Sequence, residues 1–254
     1  MTSLPRQPSI VLVTGAADGI GLALVARLLE RPWITRVYAS SRDLSASSRL
    51  HGFASADARL HLLELDLTDA DQLRDAAATM QDAGRLDLVI NTAGILHDAD
   101  GMRPERKLAD VNAANLLRSF ETNALAALLL AQAVEPLLRA APNPVFASLS
   151  ARVASIADNR LGGWYAYRAS KAALNMLIRT LAIEWSRGSP RIACVALHPG
   201  TVRTALSEPF VARRDDEGVF EPAYAADQLL DVIGSLQPDQ SGEFIAYDGA
   251  PIPW

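Results

Sequence analysis

Residues 9–21 read SIVLVTGAADGIG, and this stretch decides the fold. Its first six residues form a run of β-branched and apolar side chains, typical of a strand buried on both faces in a parallel sheet. Glycines follow at 15, 19 and 21, and a helical pattern begins at Ile20. Such a turn between strand and helix lets a backbone approach a pyrophosphate at the helix N-terminus, although packing alone can also require one. The stretch therefore predicts the first strand, turn and helix of a dinucleotide-binding fold.

The pattern of strand and helix continues along the chain. Further apolar runs predict strands at 36–39, 60–65, 86–90, 144–147, 192–197 and 243–247. Helical patterns predict helices over 20–30, 69–82, 111–139, 165–185 and 222–235, the second of them capped by Thr68. This alternation predicts a doubly wound α/β fold, with a mainly parallel seven-stranded sheet and helices on both faces.

Length and composition set the limits of this interpretation. The chain has 254 residues, of which 50% are hydrophobic and 21% charged, and its net charge is −5. It can therefore bury a core, and without a basic cluster it is not expected to bind nucleic acid. Its single cysteine, Cys194, fits a reducing compartment, its histidines lack metal-ligand spacing, and the most apolar stretch, 124–134, is too short to span a membrane. We expect a single cytoplasmic domain over 1–254, without a metal.

The end of the second predicted strand bears on the choice of nucleotide. Residues 38–42 read YASSR, and a site for NAD(H) usually places a carboxylate there for the ribose 2′-hydroxyl. This chain has Ser41 and Arg42 instead, and a guanidinium binds phosphate through paired hydrogen bonds. The sequence therefore favours NADP(H). The nearby Asp43 leaves NAD(H) open, and Arg42 could also be an ordinary surface residue.

A second motif lies on the predicted helix from 165. Tyr167 and Lys171 are four residues apart and share one helix face. An ammonium near a phenol favours the phenolate, so we expect Lys171 to lower the pKa of Tyr167 and to suit it for proton transfer at a carbonyl or hydroxyl oxygen. This spacing alone is common, and its meaning depends on the rest of the chain.

Together and in this order, the two motifs resemble the short-chain dehydrogenase/reductase family, single-domain type. The resemblance covers about residues 10–247 and includes three further segments: NTAG at 91–94, Asp66-Leu67 after the third strand, and HPGTV at 198–202. Asn123 matches an asparagine in the family's fourth helix. Residues 155–159, 162–175 and 248–254 resemble more closely the branch that holds the C-factor signalling proteins and the sniffer-type carbonyl reductases.

This resemblance implies a Rossmann-type fold and a role for each matching residue. Tyr167 would be the general acid/base, Lys171 would lower its pKa and hold the nicotinamide ribose, and Asn123 would complete a proton relay. The other cofactor contacts would come from the remaining matched positions, namely Gly15, Asp18, Gly19, Ile20, Gly21, Ser41, Arg42, Asp66, Leu67, Asn91, Ala93, Gly94, Pro199, Gly200, Thr201 and Val202. Asn123 could instead only satisfy backbone groups in a helix kink.

The active-site serine has two candidate positions. The family places two serines after its fifth strand, and the second orients the substrate oxygen. Residues 148–152 read SLSAR, so an alignment through the following residues puts that second serine on Ala151 and the first on Ser150. We assign the role to Ser150, since a shift of one residue in the loop would bring its hydroxyl to the required place.

The resemblance predicts an NADP(H)-dependent oxidoreductase that acts on a small carbonyl compound or secondary alcohol. The alternative is a nucleotide-binding sensor or signalling protein with little turnover. Apolar surface on the helices from 111 and 165 predicts a homodimer or homotetramer, with a monomer as the alternative. The weakly patterned segment 203–221 is expected to be a substrate loop or lid, although a solvated loop would look the same.

Overall fold

The computed structural model describes residues 9–45, 47–211 and 218–254. Seven strands form one sheet, and every neighbouring pair in it is parallel. In chain order they are β1 (Ser9–Thr14), β2 (Ile34–Ser41), β3 (Leu60–Glu64), β4 (Leu88–Asn91), β5 (Val145–Leu149), β6 (Ala193–His198) and β9 (Phe244–Ala246). Two short strands, β7 (Thr201–Val202) and β8 (Val219–Phe220), form a separate parallel ladder. The predicted doubly wound, Rossmann-type sheet is confirmed.

The strand order is β3-β2-β1-β4-β5-β6-β9, which places β1 at the point where the chain changes direction across the sheet. From β1 the chain first builds outward through β2 and β3, and then returns to add β4 on the other side. Open α/β sheets bind ligands in the crevice beyond the carboxyl ends of the strands at such a point. In β1, Val11, Leu12 and Val13 are fully buried, as a strand covered on both faces requires.

Helices cover both faces of the sheet. In chain order they are α1 (Gly19–Leu29), α2 (Ser48–Ala56), α3 (Ala70–Met80), α4 (Ala113–Phe120), α5 (Ala126–Arg139), α6 (Tyr165–Trp185), α7 (Glu208–Val211) and α8 (Pro222–Ser235). Helices α1, α2 and α8 pack in one apolar core with Val11 and Val13. Helices α3, α5 and α6 pack in the other, with Leu12 on the opposite face of the same strand.

The long helix predicted over 111–139 is interrupted. Helices α4 and α5 are joined by a π-helical turn, Glu121–Leu125, which contains Asn123. The wider turn adds one residue to the helical repeat and so rotates the side chains that follow. The prediction that Thr68 caps α3 is wrong: Asp69 is the N-cap, and its carboxylate accepts from the amides of Asp71 and Gln72.

The segment predicted as a loop or lid, 203–221, is only partly described, because residues 212–217 lie outside the described residues. Its described part contains α7 and β8. The imidazole Nε2 of His97 lies 3.1 Å from the carbonyl oxygen of Ala205 and ties this segment to the loop after β4. None of the described helices combines the length and apolar composition that a membrane crossing needs.

Candidate active site

The glycine-rich turn leaves no space for a side chain at Gly15 or at Gly21. A Cβ on Gly21 would lie 2.3 Å from the carbonyl oxygen of Gly15, and one on Gly15 would lie 2.8 Å from Thr92 Oγ1. Asp18 is the N-cap of α1, but its side chain accepts no hydrogen bond from the helix. The first turn, which begins with Gly19 and Ile20, contains no acidic residue. Among the described residues, the first amides of α1 therefore have no side-chain partner, which leaves them available to an anion.

A chain of buried hydrogen bonds crosses the carboxyl ends of three neighbouring strands. Thr14 Oγ1 in β1 donates to Asn91 Oδ1 in β4 over 2.7 Å, and Asn91 Nδ2 donates to Ser148 Oγ in β5 over 3.1 Å. The amide of Ala93 also donates to Asn91 Oδ1. The side chain of Asn91 thus satisfies groups of the protein and shapes the turn at 92–94, and its predicted position beside the cofactor stays a prediction. In the sequence, Thr14 and Ser148 stand out only as polar residues at the ends of apolar runs, which places them at the carboxyl ends of their strands.

The end of β2 lies beside the glycine-rich turn. The amide of Ala16 donates to the carbonyl of Ser40, and Ser47 Oγ contacts the carbonyl of Ala17. Arg42 is exposed and makes no hydrogen bond or ion pair with any residue that the structure describes. Ser41 Oγ bonds to the backbone of Asp43, and the Asp43 carboxylate accepts from Ser45 Oγ over 2.6 Å. A positive side chain is thus available here, while the nearest carboxylate is engaged locally.

The remaining predicted cofactor residues lie at both sides of the crevice. Asp66 and Leu67 follow β3, and Asp66 Oδ1 accepts from both the amide and the hydroxyl of Thr68. Pro199 and Gly200 follow β6 directly and lead into β7, which consists of Thr201 and Val202. The structure therefore brings the predicted positions to the carboxyl edge of one sheet, with Asp66 and Leu67 on the β3 side and 199–202 on the β6 side.

Tyr167 and Lys171 lie in the first two turns of α6. Lys171 is buried, and its Nζ donates to the carbonyl of Leu149 at the end of β5 over 2.8 Å. Burial raises the pKa of Tyr167 to about 12 and lowers the pKa of Lys171 to about 8. The expected lowering of the Tyr167 pKa by Lys171 is therefore not found: desolvation dominates, and the phenol is neutral at pH 7.

Asn123 holds the loop after β4 against α6. Its Oδ1 accepts from the amide of Ile95 over 2.7 Å, and its Nδ2 donates to the Ile95 carbonyl and to Ser170 Oγ. A Cβ on Gly94 would lie 3.2 Å from Asn123 Oδ1 and 3.3 Å from Lys171 Nζ. The turn at 92–94 thus contacts the glycine-rich turn on one side and the Asn123–Lys171 pair on the other.

Ser150 follows β5 immediately, next to the carbonyl that Lys171 binds. Its amide donates to the carbonyl of Leu197, yet its buried Oγ has no hydrogen-bond partner among the described residues. A buried hydroxyl without a partner costs free energy and calls for an explanation. Its place at the carboxyl edge of the sheet leaves this hydroxyl available to a bound ligand. Ala151, the alternative position, has no hydroxyl to offer.

Sequence reasoning missed the role of Glu105 and the ring contacts of Trp164 around the start of α6. Glu105 is buried, and its Oε2 accepts from the amide of Ala166 over 3.2 Å. Trp164 lies with its ring centre 6.2 Å from that of Tyr167 and 5.0 Å from that of Phe210. The contact of Glu105 joins residues 61 apart, so no local pattern could have revealed it. Two glycines directly before Trp164 were the one local signal of an unusual backbone.

Comparisons with known proteins agree with this geometry. The sequence model of the short chain dehydrogenases matches residues 9–215. C-signal of Myxococcus xanthus is 35% identical over 179 residues, which cover 70% of this chain and 99% of that protein. The structure of the NADPH-bound carbonyl reductase from chicken fatty liver superposes with a TM-score of 0.88 at 31% identity, over 98% of this chain and 100% of that one. The carbonyl reductase Sniffer of D. melanogaster gives a TM-score of 0.87 at 29% identity with the same coverage. With these matches and this site, the chain belongs to the short-chain dehydrogenase family of oxidoreductases.

Proposed function

We propose that this protein is an NADPH-dependent carbonyl reductase whose proton donor is Tyr167. The observation that carries the proposal is the position of the turn at 92–94. It contacts the glycine-rich turn at Gly15 and also lies against Asn123 and Lys171. The anion cradle and the proton-transfer residues are therefore adjacent, so one extended nucleotide can reach both. The likeness to the NADPH-bound carbonyl reductase from chicken fatty liver supports the same reaction.

The residues present fit a nicotinamide dinucleotide. The closely packed glycines and the uncapped start of α1 suit a pyrophosphate. Arg42, exposed and unpaired among the described residues, suits a 2′-phosphate and favours NADP(H) over NAD(H). Thr201 and Val202 would bind the carboxamide, and Lys171 the ribose. When bound, the nicotinamide supplies the hydride.

The protein's own part in the reaction is to bind the carbonyl oxygen and to donate a proton to it. A phenol with a pKa raised to about 12 remains protonated at neutral pH, so Tyr167 can donate as negative charge develops on that oxygen. The Ser150 hydroxyl, unpartnered among the described residues, can donate a second hydrogen bond to the same oxygen. The buried Lys171 contributes positive charge beside them, and Asn123 holds the loop at Ile95 in place.

The test is the loss of a single hydroxyl. We expect Tyr167→Phe to lower kcat for an activated carbonyl, such as a quinone or an α-dicarbonyl, by about 100-fold to 10,000-fold, because general acid catalysis contributes factors of that order. Tyr165→Phe is the matched control, since Tyr165 is exposed on the same helix and should leave kcat unchanged. A loss smaller than tenfold in Tyr167→Phe, for a carbonyl that wild type turns over well, refutes the role of Tyr167.

The likeness to C-signal favours one second candidate, a nucleotide-binding signalling protein with little turnover. Both candidates predict that NADP(H) raises the thermal midpoint. They differ in catalysis: stabilisation by NADP(H) without turnover of any compound in a broad carbonyl panel would favour the signalling protein. Stabilisation by neither NADP(H) nor NAD(H) would refute both.

A further inference from the structure

Three successive residues before α6 adopt the left-handed backbone conformation. Gly162 and Gly163 have φ values of 63° and 65°, and Trp164 follows with φ 53° and ψ 43°. Among the described residues, Trp164 is the only non-glycine residue with positive φ. A bulky side chain in this region is strained, and such strain persists where the surroundings impose it, often at functional sites. We call residues 162–164 the left-handed turn.

Contacts on two sides hold the left-handed turn in place. The amide of Trp164 donates to the backbone carbonyl of Glu105 over 2.6 Å. The side-chain carboxylate of Glu105 accepts from the amide of Ala166, the second residue of α6. From the other side, Arg168 Nε donates to the carbonyl of Gly163 over 3.0 Å. A Cβ on Gly163 would lie 3.2 Å from the Glu105 carbonyl, which limits how far the turn can relax. The buried Glu105 therefore acts as a distant cap for the helix that carries Tyr167.

The left-handed turn presents an aromatic surface beside Tyr167. The Trp164 ring meets the Tyr167 ring at 72° with the centres 6.2 Å apart, and it meets the Phe210 ring at 58° with the centres 5.0 Å apart. His97 continues the row, with its ring centre 5.9 Å from that of Phe210. Trp164 and Phe210 are both only partly buried, so part of their surface is accessible to a ligand. We call His97, Phe210 and Trp164 the aromatic wall.

We propose that Trp164 is a specificity-determining residue, which selects flat, conjugated carbonyl compounds by stacking in the aromatic wall. This inference rests on the proposed function, because it concerns the compound that Tyr167 would protonate. Aromatic rings gain from offset or edge-to-face contact beyond simple burial, and an aliphatic dicarbonyl cannot make that contact. The alternative is that the indole merely fills space, in which case its loss would lower stability and leave selectivity unchanged.

The experiment compares two carbonyl compounds that differ in ring content. The ratio of kcat/KM for 9,10-phenanthrenequinone to that for 2,3-butanedione is measured with NADPH in wild type and variants. We expect Trp164→Leu to lower this ratio by about fivefold to tenfold, in line with the strength of aromatic pairs. Trp164→Phe should keep the ratio within about twofold, since it keeps a ring in the same place. Tyr165→Leu, one residue further along and outside the aromatic wall, should leave the ratio unchanged.

A further variant separates specificity from folding. Asn tolerates the left-handed conformation far better than Trp, so Trp164→Asn should keep or raise the thermal midpoint while it lowers the ratio as Trp164→Leu does. A ratio within twofold of wild type in both Trp164→Leu and Trp164→Asn would overturn the inference. If the thermal midpoint fell in both while the ratio held, the indole would be a packing residue.

A binding measurement keeps the inference testable without turnover. In the presence of NADP⁺, which carries no hydride to transfer, calorimetry gives the Kd of 9,10-phenanthrenequinone directly. We expect a Kd about fivefold to tenfold higher in Trp164→Leu than in wild type. If wild type reduced neither compound, the broad carbonyl panel would decide the proposed function, and this Kd alone would decide the inference. Equal Kd values in both proteins, or no binding by wild type, would overturn it.

Discussion

At the scale of single residues, Ser150 offers a substitution that separates stability from function. Its buried hydroxyl has no partner in the part of the chain that the structure describes, so Ser150→Ala removes a group that costs free energy when buried and should leave the thermal midpoint unchanged or slightly higher. If the hydroxyl binds the substrate oxygen, kcat should fall about tenfold or more. Enzyme assays and thermal unfolding of the same sample check both expectations.

Ser148→Ala is the matched control for this prediction. Ser148 lies two residues earlier in β5, and its Oγ accepts from Asn91 Nδ2 inside the buried chain of hydrogen bonds. Its removal leaves the Asn91 amide without that partner and should lower stability by about 1–3 kcal/mol. An unchanged kcat in Ser150→Ala would contradict the assignment of Ser150 and reopen the search along this loop.

Arg42 gives a second prediction at this scale, which concerns the choice between the two nucleotides. Arg42→Ala should raise the Kd for NADPH by about tenfold to 100-fold, since hydrogen bonds between charged groups contribute about 1.5–3 kcal/mol. The Kd for NADH, which lacks the 2′-phosphate, should stay within about twofold. Titrations with both nucleotides test this, with Arg74→Ala as a control on α3, where the arginine pairs with Asp71. An equal loss for both nucleotides would mean that Arg42 does not recognise the phosphate.

Single-residue roles could be predicted from the sequence where the relevant contact is local. Tyr167 and Lys171 share a helix face because of their spacing, and the glycines of the first turn indicate that the backbone approaches a ligand or another segment closely. The pKa of Tyr167 could not be predicted, because it depends on burial by residues distant in sequence. The distant cap formed by Glu105 was hidden for the same reason.

At the scale of elements, two helical glycines provide a matched pair of substitutions. In α1, Gly21 has no room for a methyl group, since a Cβ would lie 2.3 Å from the carbonyl of Gly15. In α2, Gly52 has nothing within 4 Å of the same position. Gly52→Ala should therefore stabilise the protein by about 0.5–1 kcal/mol, through helix propensity.

Gly21→Ala should have the opposite effect. The turn must shift to admit the methyl group, so we expect a loss of about 1–3 kcal/mol in stability, as for overpacked sites, and weaker binding of the nucleotide. Chemical unfolding and nucleotide titration measure both quantities. If Gly21→Ala were as stable as Gly52→Ala and bound the nucleotide as wild type does, the close packing of the first turn would be irrelevant to the site.

Element boundaries were predictable where an apolar stripe was present, as in α6 and α8. Helix α2 was missed because Leu50 is its only buried residue, so no stripe marks it. Strands β7 and β8 have two residues each, too few to show a period. The irregular turn around Asn123 was foreseen only as an alternative, a helix kink, because only the tertiary contacts with Ile95 and Ser170 give the buried amide its partners.

At the scale of the whole molecule, an exposed apolar surface bears on assembly. Large side chains on α4, α6 and the π-helical turn remain exposed: Leu117 by 70%, Met176 by 66%, Ile183 by 46% and Leu125 by 45%. Helices α4 and α6 pack against each other, so these side chains can form one surface of the kind that associating proteins bury. We expect a homodimer or homotetramer in solution, measured by light scattering at micromolar concentration.

Charge placed on this surface should break the assembly. Leu117→Glu combined with Met176→Glu should give a monomer with unchanged helix content, because neither side chain contributes to the core. Leu161→Glu, at an exposed leucine in the loop before α6, should leave the mass unchanged. A wild-type protein that scatters as a monomer would contradict the prediction.

The strand order also affects how the sheet can form while the chain is being synthesised. During synthesis, β1, β2 and β3 can pair as soon as residues 9–64 have emerged, which leaves one edge of β1 bare. The strand that covers this edge, β4, begins only at Leu88. At about 5–20 residues per second, the unpaired edge of this largely apolar strand stays exposed for on the order of seconds beside other nascent chains. Because β1 is central in the sheet, we expect the rate of translation between residues 65 and 87 to affect the yield of folded protein.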